Sequence, residues 1–357
     1  MKVLGLMRSV LSRAGLLVTL VVSLAAVGLV HAQQAQSGQA GGGEDAGLHV
    51  LPVRGNISMI VGAGANLAVS VGEEGVLLVD TGTGENADKV IELIRKLAPN
   101  KRLRYIINTN ADPDHTGGNL KLGAIAQTVG GGNAGAGRTA IIAHENVLNR
   151  MSAPSGRESP TPSEAWPSDT YFGKGKKKEL YLNDESIIIE NGPAAHTDGD
   201  STVYFRKSDV LVTGDVFTTV TYPVFDINRG GSINGYIDAL NRIIDITVPK
   251  DKQEGGTYVI PGHGRLCDEA DVVFDRDMAT ILRDRFANWI KQGWTLQQVK
   301  AANPVLDYDL RYGATSGPWT TDQFVEAVYA DLSRTLAPAK APAAGRTPAS
   351  RTRPTTR

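Results

Sequence analysis

The sequence predicts an α/β fold in which strand meanders alternate with amphipathic helices, and three observations carry that expectation. Short β-branched runs at residues 57–61, 66–71 and 76–79 are divided by glycine-containing turns. A helical pattern follows at 86–97, with Val90, Ile91, Ile94 and Leu97 on one face. Polar residues then recur where apolar, strand-like runs end: Asp80, the stretch 108–119, His196, Asp215 and His263. The 357 residues suffice for one large α/β domain or two small ones, and a hydrophobic fraction of 41% supports a substantial core. A net charge of -1 without a long basic stripe gives no sign of a nucleic-acid or membrane-surface partner. Cys267 is the single cysteine, which excludes an intrachain disulfide.

Taken in order, the chain opens with a targeting pattern. Lys2, Arg8 and Arg13 make a positive start, residues 16–30 are almost purely apolar, and Val30-His31-Ala32 supplies a small-residue cleavage site. Residues 1–32 therefore read as a signal peptide and not as a membrane anchor, with a mature start at Gln33. The expected location is periplasmic or secreted, with no stable membrane insertion once the segment is removed. Residues 33–47, rich in Gln, Gly and Ala, read as a flexible leader. Asp80 follows a buried strand and can either cap the helix at 86–97 or serve the polar stretch beyond it.

Residues 105–107 form the next strand, and the stretch from Asn108 to Asn119 follows it. There Asn110, Asp112, Asp114 and His115 gather side chains that bind a hard or borderline cation, although Asp-Pro-Asp is also ordinary turn chemistry. Gly117 and Gly118 let the backbone pass close to a neighbour. A helix is expected at 120–126, and a glycine-rich loop at 130–137 lacks the Lys-Ser/Thr ending of a phosphate-binding loop. His144, after a strand at 140–143, reads as a packed or capping histidine. The irregular segment 151–172 carries Pro154, Pro160, Pro162 and Pro167 and suits a functional loop or lid. Its Trp166, Tyr171 and Phe172 could line a cleft, but pinning the loop to the core is the default.

Two hairpins are expected next, 179–182 with 186–190 around Asn183-Asp184, and 202–206 with 210–213 between His196 and Asp215. Ser232 starts a helix reaching about residue 246, and 258–260 leads into His263. Helices at 268–292, 295–302 and 321–336 are expected to pack on the core or form a dimer surface, without catalytic residues. Residues 337–357 alternate Ala, Pro, Thr and Arg and read as a disordered basic tail.

The order Asn110-Ala111-Asp112-Pro113-Asp114-His115, Gly117-Gly118, His196, Gly214-Asp215, Pro261-Gly262-His263-Gly264 resembles the metallo-β-lactamase-fold superfamily over roughly residues 53–267. The usual first motif there is His-x-His-x-Asp-His followed by Gly-Gly; this chain departs from it with Asn110 and Asp112 in place of the first two histidines. The resemblance implies an αββα sandwich of two mixed β-sheets with helices on the outer faces, spanning 48–267, with 268–336 as a helical extension. It also implies metal ligands at Asp112, Asp114, His115, His196, Asp215 and His263, with Asn110 a weak neutral candidate and Asp114 the catalytic carboxylate. Asp80 would steady the metal loop through hydrogen bonds. Asp114, His115 and His263 would make one half-site and His196 with Asp112 the other, bridged by Asp215. One or two zinc ions are implied, and three carboxylates with three imidazoles also suit iron or manganese. The implied function is an exported hydrolase using a metal-held hydroxide on an ester, amide or lactam. A carboxylate-rich iron redox site, and a metal- or ligand-binding protein that has lost turnover, are the alternatives that Asn110 and Asp112 keep open. The implied partner is a small-molecule substrate, with a homo-oligomer allowed by the C-terminal helices.

Overall fold

Short apolar strands divided by tight turns build the first sheet. In a computed structural model, which describes residues 47–125, 138–153 and 161–336, β1 (His49–Arg54), β2 (Ile57–Val61), β3 (Leu67–Gly72) and β4 (Gly75–Val79) form an antiparallel meander. The expectations for residues 1–46, the glycine-rich loop at 130–137 and the tail at 337–357 lie outside the described residues. β1 was not expected; its side chains are exposed or half-buried, so no apolar alternation marks it. Helix α1 (Ala87–Leu97) turns Val90 and Ile94 onto the sheet, and β5 (Leu103–Ile107) then joins β4 in parallel. α2 (Pro113–Thr116) and α3 (Asn119–Ala124) lead to β6 (Ala140–His144), which is followed by α4 (Glu145–Ser152) and β7 (Asp169–Tyr171). The seven strands lie in sequence order, β1 to β7. β4 is buried along its whole length, the pattern of a strand covered on both faces.

The second sheet has the order β12-β11-β10-β9-β8. It comprises β8 (Lys177–Leu182), β9 (Glu185–Asn191), β10 (Ser201–Phe205), β11 (Val210–Thr218) and β12 (Tyr258–His263), the last parallel to β11. The first hairpin turns on Asn183 and Asp184, both left-handed at φ 56° and 63°, as a type I′ turn requires. α5 (Ile233–Ile246) begins where the Ser232 hydroxyl accepts the Gly235 N–H. α6 (Glu269–Lys291) starts on a reciprocal Asp268–Asp271 capping box, and α7 (Leu296–Ala301), α8 (Asp309–Tyr312) and α9 (Thr321–Leu336) complete the chain.

Three apolar layers follow from this arrangement. Between the sheets, Met59, Leu77 and Ile107 meet Ile187, Val203, Phe205 and Ile260. α1 covers the outer face of the first sheet through Val90 and Ile94 against Leu78 and Ile106. On the other side α5, α6 and α9 share one cluster with β11, including Phe217, Leu240, Leu282 and Val328. The molecule is thus an αββα sandwich of two mixed sheets. Each fully buried Leu, Ile or Phe in these layers contributes about 2 kcal/mol of transfer free energy. Phe274 and Ile281 on α6 are exposed; Phe274 packs edge-on to Tyr308 beneath the Arg311 guanidinium. No helix among the described residues is long and apolar enough to cross a membrane.

One buried carboxylate makes the helical layer sensitive to pH. Asp275 on α6 is 1% exposed and accepts the Tyr312 hydroxyl, while its second oxygen has no partner. Burial, opposed by the Tyr312 hydrogen bond and Arg311, pushes its carboxyl up to about 6 from the ordinary 3.8. Because the folded-state value is raised, the associated stability is fully present below the unfolded value and is lost as pH climbs through 6. The loss amounts to about 3 kcal/mol. Asp275→Asn keeps the acceptor for Tyr312 and removes the charge. We expect its melting temperature at pH 8 to exceed that of the parent by roughly 5 °C, with no advantage at pH 4. Thermal melts at the two pH values check this; equal melting temperatures at pH 8 would contradict it.

Candidate metal centre

The first half of the centre is built where β4 and β5 end. Asp80, next after β4, is fully buried and takes a left-handed φ of 60°. One carboxylate oxygen accepts the Thr109 N–H at 2.8 Å, and the other accepts the Thr109 hydroxyl at 2.7 Å and faces His115 Nδ1 at 2.8 Å. Asp80 therefore serves the polar stretch and does not cap α1, which begins after Asn86. Pro113 opens α2, whose single turn carries Asp114 and His115. The following loop nests on residues 81–84: a Cβ at Gly117 would fall 2.5 Å from the Gly84 nitrogen, and one at Gly118 2.5 Å from the Thr81 carbonyl oxygen. Those two glycines are thus close-approach positions, as their spacing suggested.

The second half comes from the ends of β11 and β12 and the loop before β10. Asp215 lies on β11 against β12, and a Cβ at Gly262 would lie 2.3 Å from its Oδ1. Glycine in Pro261-Gly262-His263 therefore leaves the room that this carboxylate occupies. His196 precedes Asp200, whose Oδ2 accepts the Thr197 N–H at 2.6 Å and whose Oδ1 accepts the Thr197 hydroxyl at 2.7 Å and faces His196 Nδ1 at 3.3 Å. Asp200 was not recognised in the sequence; a carboxylate four residues after a histidine is the only signal it gives.

The structure gathers the six expected ligands into two groups. The ligand atoms of Asp114, His115 and His263 lie within 4.8 Å of one another, as do those of Asp112, His196 and Asp215. Asp215 joins the groups, with Oδ2 at 3.0 Å from His115 Nε2 and Oδ1 at 3.4 Å from His263 Nε2. Asp114 Oδ2 is 3.2 Å from His263 Nε2, and Asp112 Oδ2 is 3.4 Å from His196 Nε2. His115 Nε2 and Asp215 Oδ1 are buried among these ligand atoms and make no well-aligned hydrogen bond. Asp80 and Asp200 engage the Nδ1 atoms of His115 and His196 and so leave Nε2 as the ligating nitrogen in each. This donor set of imidazoles and carboxylates fits a divalent metal.

Asn110 does not fit as a ligand. Its carbonyl oxygen accepts the Asp112 N–H at 2.8 Å, and its amide nitrogen donates to Asp215 Oδ2 at 3.0 Å. It orients Asp215 and shapes the turn instead. His144 is also structural: its Nδ1 accepts the Asn146 N–H at the start of α4, and its ring packs edge-on to Tyr171.

Close packing of imidazoles and carboxylates sets the charge state of each group. Burial disfavours the imidazolium of His115, but Asp215 and Asp80 outweigh it and hold His115 well above its ordinary value. Burial likewise opposes protonation of His196, but Asp200 and Asp112 raise it to about 10. Burial would push Asp112 and Asp215 up; the imidazoles, with Arg229 beside Asp112, keep both below the usual carboxylate range. Arg229 is a neighbour no motif signalled, with Nη1 2.6 Å from Asp112 Oδ1.

The ligand side chains form the floor of a cleft of about 380 Å³. Its wall consists of Thr218, Val220, Thr221 and Val224 after β11, with Pro318 and Trp319 ahead of α9. The segment joining α8 and α9 thus reaches the site. Trp166 and Tyr171 do not: Trp166 packs beside Ala143 and Val147, and the Tyr171 hydroxyl lies 2.6 Å from Ser201 Oγ. Phe172 is exposed and lies outside the cleft wall. A larger groove of about 530 Å³ around Asp184 and Arg206 has no comparable convergence of ligands.

Paired mixed sheets whose strand ends present an imidazole–carboxylate cluster define a metal-binding αββα sandwich protein. The chain belongs to the metallo-beta-lactamase superfamily, whose sequence profile matches residues 61–263. Members of that superfamily are mostly metallo-hydrolases. Its fold is similar to that of the stereoselective inverting sec-alkylsulfatase Pisa1 from Pseudomonas sp., at TM-score 0.57 and 16% identity over 81% of this chain and 50% of that one. A double mutant of the same sulfatase gives TM-score 0.57 and 15% identity, with the same coverage of 81% and 50%. The chain thus spans about half the length of those sulfatases. The DIM-1 metallo-beta-lactamase matches at TM-score 0.48 and 18% identity over 65% of this chain and 97% of that one. No curated protein matches the chain by sequence.

Proposed function

We propose that the protein is a metal-dependent hydrolase of a small ester, amide or lactam that carries an apolar group. The observation that carries this reading is the pair of ligand clusters joined by Asp215, all of whose members but the buried His115 line the floor of a cleft with an apolar wall. Asp114, His115, His263 and Asp215 would hold the ion, and zinc suits their mixed nitrogen and oxygen donors. Bound there, a divalent cation supplies Lewis acidity and a water of lowered pKa.

The chain's own residues do the rest. Asp80 and Asp200 fix the tautomers of His115 and His196. Burial would raise the Asp114 carboxyl, but His263 and His115 hold it below its ordinary value, so it is ionised at neutral pH and can accept a proton at the cleft floor. Val220, Val224 and Trp319 exclude water and seat the apolar part of the substrate. With residues 1–32 acting as a signal peptide, the hydrolysis takes place in the periplasm or outside the cell.

The reading is tested by elemental analysis of purified protein alongside a screen of carboxylic esters, amides, lactams and alkyl sulfates. Bound metal together with turnover that a chelator abolishes is the expected result. Stoichiometric metal without turnover of any class would instead favour a protein that only binds.

The wall makes a separate expectation. Trp319→Ala should raise KM about tenfold for substrates with a bulky apolar group, the equivalent of losing 1–2 kcal/mol of contact. Its indole N–H has no hydrogen-bond partner, so no polar contact is broken. kcat should change little, and a truncated substrate should show no KM change. An equal KM rise for both substrates would remove Trp319 from the specificity wall.

A further inference from the structure

We propose that Arg229 is the resident cation of the Asp112–His196 half of the centre and holds that half closed to a second metal ion. The proposal rests on the metal-centre reading above and assigns to this chain's own guanidinium what a second ion would otherwise do.

Geometry comes first. Arg229 forks across Asp112, with Nη1 2.6 Å from Oδ1 and Nη2 3.5 Å from Oδ2. Oδ2 is the oxygen that also faces His196 Nε2, at 3.4 Å. The guanidinium therefore covers both oxygens of the carboxylate on which this half-site depends, the planar match that arginine makes with carboxylates.

Arg229 is also anchored against swinging away. Its Nε donates to Asp226 Oδ2 at 2.5 Å, and its backbone N–H to Asp226 Oδ1 at 3.0 Å. The short turn that carries it, Ile227–Arg229, is laced to the His196 loop. Asp226 N–H donates to the His196 carbonyl at 3.0 Å, Asp198 N–H to the Arg229 carbonyl at 2.9 Å, and Ser232 N–H to the Ala195 carbonyl at 3.1 Å. A Cβ at Gly231 would lie 2.1 Å from the His196 carbonyl oxygen, so the two segments are in backbone contact. The arginine and the histidine are thus set in one frame.

The charges agree with the geometry. Asp114 and Asp215 neutralise one divalent ion, and Arg229, shared between Asp112 and Asp226, already sits on the carboxylate a second ion would need. A second divalent ion beside Asp112 would face a guanidinium at close range with no further ligating carboxylate to offset it. Asparagine at position 110, with its oxygen turned to a backbone N–H, adds no ligand to that half. An arginine that merely oriented a ligating Asp112 would have the opposite effect, since its loss would weaken the second ion.

The test measures zinc bound per chain after dialysis at limiting and at excess free zinc, with cobalt(II) absorption reporting each site's coordination. Full-length mature protein is compared with Arg229→Met, His263→Ala and the double variant, each checked by thermal melting. The parent should bind one ion tightly. Arg229→Met should bind two, the second at least tenfold tighter than in the parent. The double variant should retain one ion at the Asp112–His196 half, where His263→Ala alone holds none tightly. Should Arg229→Met fold poorly, Asp226→Asn keeps the Oδ1 acceptor but loosens the anchor, and should raise second-ion affinity about threefold. Two equally tight ions in the parent, or a second-ion affinity unchanged or lowered in the variants, overturns the proposal while leaving the metal centre intact. A parent chain that binds no ion overturns both.

Discussion

Asp215→Ala is expected to strip the centre of its tightly bound ion and to lower hydrolysis by at least about 10³-fold, the scale of a lost Lewis acid and its activated water. Asp215 is the ligand that joins the two groups. Its two oxygens face His115 and His263, and one of them also accepts the Asn110 amide. The same carboxylate belongs to the group with Asp112 and His196. Alanine removes a charge common to both ligand groups and leaves the Asn110 amide unpaired. His263→Ala should strip the same ion while leaving Asp215 and the Asp112–His196 pair in place. Elemental analysis and turnover, with circular dichroism to confirm folding, make the comparison. An Asp215→Ala protein that keeps a full complement of tightly bound metal would show that Asp215 is a bystander.

The sequence exposed this centre to the extent that its chemistry is local. Apolar runs and glycines mark the strand ends and turns, while the resemblance of the motif order is what points to Asp114, His115, Asp215 and His263 as ligands. The hairpin at Asn183-Asp184 and the cap at Ser232 are legible for the same reason, since each is decided within four residues. Arg229 and Trp319 are different. Arg229 meets Asp112 only because the 226–231 turn is laced to the His196 loop, and Trp319 reaches the cleft only because α9 packs on α5 and α6. Neither residue type nor spacing encodes such meetings, which tertiary packing determines. Asn110 shows a third limit: its residue type allowed a ligand, and only its hydrogen bonds reveal that its oxygen is engaged elsewhere. Helix α6 shows a fourth, because aromatic and cationic neighbours on its outer side let Phe274 stay exposed within an apolar-looking pattern.

Asp80→Asn should cost about 10- to 100-fold in metal affinity while leaving the fold in place, and the reason lies in a single proton. In the native chain one oxygen of the Asp80 carboxylate accepts two hydrogen bonds, from the Thr109 hydroxyl at 2.7 Å and from His115 Nδ1 at 2.8 Å. The proton is thereby kept on Nδ1, and the lone pair of Nε2 is directed at the centre. Asparagine can still accept the Thr109 N–H through its remaining oxygen, and it tolerates the left-handed backbone at this position. Its NH2 group, however, donates where the carboxylate accepted. His115 Nδ1 must then become an acceptor, the ring proton moves to Nε2, and the nitrogen that should bind metal carries a hydrogen instead. Asp80→Ala has a different consequence. It leaves the buried Thr109 N–H without a partner and His115 Nδ1 with only the Thr109 hydroxyl at 3.1 Å, a loss of about 3–5 kcal/mol. The two variants therefore separate in two measurements. The asparagine variant should melt close to the parent yet release metal at a far lower chelator concentration, whereas the alanine variant should melt roughly 5–10 °C lower. Parental metal affinity in Asp80→Asn would show that the tautomer of His115 is set by something other than Asp80.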